Sequence, residues 1–233
     1  IPILEGYGCT ETSPVICVNT LEPNGMAIGT VGKVIDGVKV KIAEDGEILC
    51  KGPNVMLGYY KHPDLTDESI DKDGWYHTGD IGEMIGDKLK ITDRKKEIFK
   101  TSGGKYIAPQ NIENKLKESR FIEQAMVIGE NQKFAAALIV PSFAFIREWA
   151  ERKGLNLKTN EEIATSDEVK QRVMEEVEEI NKSLGNYETI KKIELLKREF
   201  SIEMGEMTPK LSLKRKLIIE ANRALVDKIY DLN

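Results

Sequence analysis

Alternation of apolar and polar residues predicts short strands in the first part of the chain. Residues 38–43, VKVKIA, alternate apolar residues with lysines, which is the period of a half-buried strand. An Asp-Gly pair and a second apolar run, ILC, follow, so this stretch predicts a β-hairpin with a tight turn. Residues 80–93 repeat the pattern around a Gly-Asp pair. We therefore expect a small β-rich unit, a distorted barrel, at the start of the chain.

Helical spacing of apolar residues replaces this alternation after residue 93. Pro109 opens a short predicted helix with Ile112 and Leu116 on one face, since proline is tolerated in a first turn. Two strand-like runs, QAMVIG and FAAALIV, follow and are joined by the polar turn ENQK. Further helices are predicted over 142–153, 167–184 and 216–230.

The predicted helix over 167–184 has the clearest signals. Its apolar residues recur every three or four positions, and Thr165 and Glu168 fit a capping box in front of them. These assignments predict a two-part α+β chain, in which residues 1–93 form the β-rich part and residues 94–233 an α+β domain.

Composition and charge narrow the class of protein. Of the 233 residues, 40% are hydrophobic and 31% are charged, which is typical of a globular protein. Lys and Arg total 34 against 39 Asp and Glu, and a net charge of −5 argues against a dedicated nucleic-acid binder. Three cysteines and two histidines lack paired metal spacing, so we expect incidental thiols in a reduced, cytoplasmic location rather than a zinc site.

The segment GYGCTE, residues 6–11, is either a glycine turn between strands or a ligand cradle. As a cradle, Gly8 permits close backbone approach, and Tyr7 offers a flat face to a heteroaromatic ring. Thr10 supplies a hydroxyl for phosphate and Glu11 a carboxylate for Mg²⁺.

The segment WYHTGD, residues 75–80, allows the same two interpretations. It is either a hairpin turn or a site at which the carboxylate of Asp80 accepts two hydroxyl groups, as acidic residues do with ribose.

Residues 93–113 form a basic stretch around a glycine pair. The stretch is a solvated charged face, a flexible joint beside a phosphate-bearing ligand, or a nucleic-acid patch. The last is the weakest interpretation because the chain is acidic and few aromatic residues interleave with the cations. The cations are Arg94, Lys95, Lys96, Lys100 and Lys105, and the glycines are Gly103 and Gly104.

A second cluster of cations, TPKLSLKRK at residues 208–216, precedes the last predicted helix. Cations at a helix start oppose the helix dipole, so their presence there hints at an anion to bind.

Taken in order, these segments resemble the adenylate-forming superfamily, which contains the acyl-CoA synthetases. GYGCTE is similar to the family's G-Y-G-x-T-E, TGD to its T-G-D, and residues 93–113 to its D-R-x-K-[DE]…G-x-x-[IV]-x-P-x-x-[IV]-E. The segment between them is similar to the family's G-x-V-G-x-P, G-E-[IL] and G-Y stretch. The tail resembles the long-chain fatty acyl-CoA synthetase branch, so the resemblance covers essentially the whole chain.

The resemblance implies roles for residues in the first part of the chain. Tyr7, beside Gly8, would stack on adenine, and Thr10 would contact the adenylate phosphate. Glu11 would help to hold Mg²⁺, and Asp80 would accept the ribose hydroxyls.

The resemblance also implies roles for residues that follow the β-rich part. Arg94 would lie near Asp80, and Lys96 falls at the hinge about which the mobile C-terminal domain turns between two half-reactions. Gly103 and Gly104 would face the active site during thioester formation, with Lys105 near CoA.

The family's catalytic lysine lies in P-K-[TS]-x-x-G-K, from which this chain departs. Residues 209–216 read PKLSLKRK, without a glycine and apparently one residue shorter. Lys214 is aligned with the catalytic lysine because an arginine follows it, and Lys216 is the alternative. The expected role is an ammonium on a mobile loop that neutralises charge on the α-phosphate.

The implied activity is a ligation in two steps that uses a fatty acid, ATP, Mg²⁺ and CoA. No nucleic acid is expected, and the amphipathic last helix allows either peripheral membrane contact or, as we favour, packing onto the domain. Nothing indicates the oligomeric state. The family's phosphate-gripping loop, S-[SG]-T-x-G-x-P-K-G, is absent, so we expect a C-terminal fragment that is inactive alone. The alternatives are a ligase of another acid and a non-catalytic nucleotide-binding module.

Overall fold

The chain divides into two compact units. The structure is a computed structural model and describes residues 1–232. The first unit is Ile1–Glu97, and the second begins at Ile98. The boundary predicted between residues 93 and 94 falls inside a strand, since Arg94 still pairs with Asp80 in the sheet of the first unit. The division therefore lies after Glu97.

A seven-stranded sheet forms the first unit, with neighbouring strands antiparallel in the order β1-β2-β3-β7-β6-β5-β4. The strands are β1 (Gly6–Tyr7), β2 (Cys17–Val18), β3 (Lys33–Val34), β4 (Lys39–Ile42), β5 (Glu47–Lys51), β6 (Tyr76–Ile85) and β7 (Lys88–Arg94). The two predicted hairpins are confirmed as β4–β5 and β6–β7. Because β1 and β4 end the order, the sheet is open rather than the distorted barrel that the pattern predicted.

One helix of the first unit has no signal in the apolar pattern. Helix α1 (Pro63–Ser69) begins at a proline, and none of its residues is buried. A helix without a buried face has no apolar stripe, so periodicity cannot find it.

Apolar side chains and two thiols form the core of this unit. Cys17 and Cys50 are fully buried beside Ile16, Ile48 and Leu89. Burial raises the pKa of the Cys17 thiol to about 12 and that of Cys50 to about 11. Both therefore stay protonated and act as small apolar side chains.

A buried carboxylate joins three segments of the first unit. Glu47 on β5 is 3% exposed. Its carboxylate lies 2.9 Å from Nδ1 of His77 and accepts hydrogen bonds from the backbone N–H of Gly79 at 3.0 Å and from Nζ of Lys95 at 2.9 Å. Burial by itself raises the pKa of Glu47, but the hydrogen bonds from Lys95, His77 and Gly79 hold it below its ordinary value.

The second unit packs helices around a three-stranded sheet, in which β10 and β11 are antiparallel and β11 and β12 are parallel. A separate two-stranded hairpin, β8–β9, begins the unit. The strands are β8 (Phe99–Lys100), β9 (Tyr106–Ile107), β10 (Ile122–Ile128), β11 (Ala135–Pro141) and β12 (Ile190–Leu195). The helices are α2 (Pro109–Leu116), α3 (Phe143–Arg152), α4 (Asn160–Thr165), α5 (Asp167–Asn181), α6 (Arg215–Ala221) and α7 (Arg223–Tyr230).

Two helix predictions need correction. The cap of α5 is Ser166, whose hydroxyl accepts a hydrogen bond from the N–H of Val169 at 3.3 Å, because Thr165 already ends α4. The single predicted last helix is broken into α6 and α7 at Asn222. The Asn222 side chain donates to the carbonyl of Ile218 at 2.8 Å, and this local bond competes with the regular helical pattern.

A buried ion pair ties helices to the sheet of the second unit. Glu113 on α2 is 5% exposed and receives both terminal nitrogens of Arg215, at 2.7 and 2.8 Å. The backbone N–H of Val127 on β10 also donates to Glu113, at 2.7 Å. The pair therefore fixes the start of α6 against α2 and β10. None of the described helices is long and apolar enough to cross a bilayer.

We predict that Glu47→Gln destabilises the first unit in a pH-dependent way. A carboxylate whose folded pKa is depressed contributes stability above its ordinary pKa, near 4.5, and loses that contribution as the pH falls through the folded value. Near neutral pH the loss should be about 3 kcal/mol, the scale for breaking a buried ion pair. The difference between wild type and variant should shrink as the pH falls below 4.5.

Urea unfolding in a Trp149→Phe background measures this effect, because Trp75 is then the only tryptophan and lies in the first unit. Glu44→Gln, three positions earlier and exposed, is the matched control and should stay near wild type. A difference that is constant across this pH range would contradict the assignment.

Candidate functional site

Backbone packing explains the second glycine of the GYGCTE segment. A Cβ placed on Gly8 would lie 1.7 Å from the carbonyl oxygen of Pro14, so no larger residue fits there. The close approach that the sequence assigned to a ligand is thus made by the chain itself. It holds the loop beside Tyr7, whose carbonyl accepts the N–H of Ile16 at 2.8 Å.

Tyr7, Asp80 and Arg94 come together in the first unit. The hydroxyl of Tyr7 donates to Oδ2 of Asp80 at 2.7 Å, and Nε of Arg94 lies 3.5 Å from Oδ1 of the same carboxylate. Burial, and in addition the neighbouring Asp80 carboxylate, raise the pKa of Tyr7, so its phenol is a neutral donor. Three residues that the sequence assigned to one nucleotide site are therefore neighbours, and their roles toward a ligand stay predictions.

A network of local bonds fixes the position of Asp80. Its backbone N–H donates to the hydroxyl of Thr78 at 3.1 Å, and that hydroxyl donates to the carbonyl of Ile48 at 2.7 Å. The preceding Gly79 is held by Glu47, and its carbonyl accepts the N–H of Lys95 at 2.8 Å. Sequence reasoning missed Glu47 as a site-supporting residue, although an acid directly before the apolar run ILC, within the family-like G-E-I, was the available signal.

Thr10 and Glu11 lie in a single 3-10 turn, Thr10–Thr12. The Thr10 side chain is exposed. Oε1 of Glu11 accepts the hydroxyl of Tyr59 at 2.9 Å, a contact that sequence reasoning did not anticipate. Burial and the Glu11 carboxylate both raise the pKa of Tyr59, which keeps this donor neutral. The signal for Tyr59 was the family-like G-Y pair at residues 58–59.

Glu11 fits one common mode of Mg²⁺ binding. Proteins often hold this ion through one or two carboxylates together with substrate phosphates, and Glu11 offers a partly exposed carboxylate beside the Thr10 hydroxyl. An all-protein cage is not formed, since the described residues contain no cluster of three or more His, Cys, Asp or Glu suited to a metal.

The predicted glycine pair lies at the tip of the β8–β9 hairpin in the second unit. Gly104 has a φ of +79°, a conformation that favours glycine, and a Cβ on Gly103 would lie 4.0 Å from the hydroxyl oxygen of Thr101, an ordinary contact. Lys105 follows, and its ammonium lies 5.9 Å from the ring centre of Tyr187. Lys96, the predicted hinge residue, is exposed at the end of the first unit, where the structure describes no polar contact of its side chain.

Lys214 lies at the N-cap of α6 and Lys216 in the first turn. Both side chains are exposed, and the described residues offer the Lys214 ammonium no hydrogen bond or ion pair. A third exposed lysine, Lys210, lies at the tip of the preceding loop, next to Leu211 with a φ of +61°. This leucine takes the left-handed conformation that glycine usually supplies.

A cavity of about 500 Å³ in the second unit lies apart from these residues. It is lined by the end of β12, the start of α5 and the junction of α6 and α7, and it contains none of the predicted site residues. The candidate residues are thus, in the first unit, carboxylates with tyrosine donors and, in the second unit taken by itself, exposed ammonium groups.

Two family models match the chain. A model described as AMP-binding enzyme C-terminal domain matches residues 96–233, and one described as AMP-binding enzyme matches residues 1–60. The first covers more than half of the chain.

Curated relatives match along nearly the whole chain. Long-chain-fatty-acid–CoA ligase FadD15 of Mycobacterium bovis is 35% identical over 99% of this chain, which spans 38% of that protein. Long-chain-fatty-acid–CoA ligase 1 of Homo sapiens is 37% identical over 97% of this chain, which spans 34% of it. The chain thus corresponds to little more than a third of either relative's length.

Solved structures with the same fold are enzymes of adenylate chemistry. The adenylation domain of a carboxylate reductase from Mycobacterium chelonae has a TM-score of 0.74 at 22% identity, over 98% of this chain and 34% of that one. An o-succinylbenzoate CoA synthetase from Bacillus subtilis, in complex with ATP and magnesium, has a TM-score of 0.66 at 24% identity, over 93% and 41%. These similarities show the mixed α and β adenylate-forming fold. Together with the family models, they show that the chain belongs to the AMP-binding enzyme family.

Proposed function

We propose that the chain supplies part of an ATP-dependent ligase that joins a long-chain fatty acid to CoA. The single observation that carries the proposal is the contact of Tyr7 and Arg94 with Asp80, in a chain of the AMP-binding family. The names of the 35–37% identical relatives support a fatty acid as the substrate and CoA as the acceptor.

The proposed reaction has two steps. A carboxylate oxygen of the acid attacks the α-phosphorus of ATP, and the bond to the bridging oxygen breaks, so that pyrophosphate leaves and an acyl-adenylate forms. The CoA thiolate then attacks the carbonyl carbon, and AMP leaves with the electrons of the acyl–oxygen bond. No protein nucleophile is required in either step.

Residues of the first unit bind the nucleotide in this proposal. Tyr7 packs against adenine, Asp80 accepts the ribose hydroxyls in place of the Tyr7 hydroxyl, and Arg94 lies beside that carboxylate. Thr10 donates to the α-phosphate. Mg²⁺, held by Glu11 and the phosphates, offsets negative charge on the triphosphate when bound.

Residues of the second unit act on charge and on the acceptor. Lys214 donates to the α-phosphate oxygens as charge develops on them, a form of electrostatic stabilisation. Gly103 and Gly104 leave room for the CoA arm at the β8–β9 hairpin, and Lys105 offers a cation to its phosphates. Lys96 serves as the hinge between the two half-reactions. A cytoplasmic location and peripheral membrane contact are part of the same proposal.

Acid specificity is the first prediction of this proposal. The full-length gene product should release pyrophosphate with ATP and acids of twelve to eighteen carbons, about tenfold faster than with aryl or short acids. The isolated 233-residue chain should release none above background, because it lacks the phosphate-gripping loop. Faster release with an aryl acid supports the ligase of another acid, and nucleotide binding with no release for any acid supports the non-catalytic module.

Nucleotide affinity provides the second prediction. In the full-length gene product Asp80→Asn should raise the Kd for AMP by about tenfold or more, because an amide accepts two hydroxyl groups less well than a carboxylate does. Equilibrium dialysis with labelled AMP measures this change. Asp36→Asn, at an exposed residue of the same unit, is the matched control. An unchanged Kd would remove Asp80 from the site.

The catalytic lysine provides the third prediction. Lys214→Ala should slow ATP–pyrophosphate exchange by about a hundredfold or more, the scale for losing one transition-state donor. Lys210→Ala and Lys216→Ala change exposed lysines of the same region and should keep exchange within about threefold of wild type. A large loss in either control with a small loss in Lys214→Ala would reassign the role.

A further inference from the structure

Two bidentate ion pairs, each with a buried carboxylate, flank the segment that carries Lys214. Glu206 is 3% exposed, and both of its carboxylate oxygens receive nitrogens of Arg198, at 2.6 and 2.8 Å. Glu113 receives Arg215 in the same two-pronged manner. Residues 206–215, which we call the clamped loop, thus begin and end at residues that a buried pair holds.

Backbone bonds close the clamped loop between these pairs. The N–H of Lys214 donates to the carbonyl of Glu206 at 2.7 Å, and Met207 pairs with Leu213 as an antiparallel bridge. Further toward the tip, the N–H of Thr208 donates to the carbonyl of Ser212 at 2.9 Å. The segment is therefore a short hairpin with its own ladder.

The partners of both pairs adjoin the sheet of the second unit. Arg198 lies three residues after the end of β12, and Glu113 lies on α2 and also accepts the N–H of Val127 on β10. Arg215 donates in addition to the carbonyl of Val127 at 3.2 Å. Lys214 itself is bonded through its backbone to Glu206 and is the chain neighbour of Arg215. Its Cα is consequently fixed relative to the sheet, while its side chain stays exposed.

Such an arrangement suits a residue that must reach a defined point. Ordering a flexible loop costs free energy for every residue that is fixed, and a loop ordered during folding does not incur this cost in the transition state. The lysine then needs to order only its own side chain. Sites held by a supporting layer of buried hydrogen bonds keep the geometry that catalysis requires.

We propose that Glu206 and Glu113, through Arg198 and Arg215, are positioning residues for the lysine of the clamped loop. The inference rests on the proposed function, since it assigns these pairs a purpose in adenylate formation. It also holds that the loop is pre-formed as part of the second unit and does not act as a flexible flap.

Limited trypsin digestion of the full-length gene product tests the clamp without measuring activity. Glu206→Gln keeps the shape of the side chain but removes the charge that binds Arg198. Cleavage after Lys210 should then be about tenfold faster or more, because a broken buried pair frees the loop. Cleavage after Lys153, at the end of α3, reports on general unfolding of the same unit and should stay at the wild-type rate.

Three further variants make the digestion decisive. Arg198→Lys changes a half-exposed residue, so the variant should keep the fold. It replaces the bidentate contact with Glu206 by a single ammonium, and cleavage after Lys210 should therefore proceed at an intermediate rate. Glu113→Gln tests the second pair and should also accelerate cleavage after Lys210. Lys197→Gln, which alters only the exposed pair of Lys197 with Glu161, is the matched control and should match wild type.

ATP–pyrophosphate exchange tests the positioning role. Glu206→Gln should lower kcat by about tenfold and leave the KM for ATP within about twofold, since the lysine acts on charge that develops in the transition state. Arg198→Lys should lower kcat less than Glu206→Gln does, because one charged contact to Glu206 remains. A merely structural role would instead lower the amount of active enzyme in both variants and leave the kcat of each active molecule unchanged. Active-site titration separates the two cases.

Each result decides a separate point. Unchanged cleavage after Lys210 in both Glu206→Gln and Arg198→Lys overturns the clamp, and faster cleavage with unchanged kcat overturns the positioning role. If cleavage after Lys210 and cleavage after Lys153 accelerate equally, the pairs contribute only to stability, and this result also overturns the positioning role. If wild type forms no adenylate with any acid, the proposed function fails by itself, the positioning role fails with it, and the digestion still decides whether the clamp exists.

Discussion

The cost of taking a carboxylate out of water is the constraint on which both units depend. Glu47, Glu113 and Glu206 are almost completely buried. Glu47 and Glu113 receive donors 48 and 102 positions away, and Glu206 receives Arg198 from 8 positions away. A buried charge without donors is strongly destabilising, so these segments must come together for the chain to fold. In the first unit this requirement sets the place of Asp80, and in the second it sets the start of α6. The acids that organise the site are thus different residues from the acids proposed to bind a ligand.

The two units carry different kinds of candidate side chain. Carboxylates with neutral tyrosine donors lie in the first unit, where Tyr7 and Tyr59 each satisfy one acid. Exposed lysines lie in the second, on a hairpin tip and on a loop. The proposed function assigns the ribose and Mg²⁺ to the first set and the α-phosphate and CoA to the second.

Local patterns predicted elements well and their partners poorly. The hairpins β4–β5 and β6–β7 and the helices α2, α3 and α5 follow from periodicity and turn residues, which act over a few positions. The break at Asn222 and the cap at Ser166 depend on one local bond each, and several residues nearby could have made it. The bond between Glu47 and Lys95 spans 48 positions, and nothing in either segment indicates the other. The neighbourhood of Tyr7 and Asp80 was foreseen only through the family resemblance, since the two residues are 73 positions apart.

The left-handed backbone of Leu211 has a consequence for what determines the shape of its loop. A leucine at a φ of +61° is strained where glycine would not be, so its own preference works against the hairpin that contains it. The shape of residues 206–215 is accordingly a property of the folded second unit, and a peptide of the same sequence would not keep it. An unfolded chain with leucine at this position has fewer conformations to lose than one with glycine. Contacts of the folded unit, and not the preference of the residue itself, therefore enforce the turn.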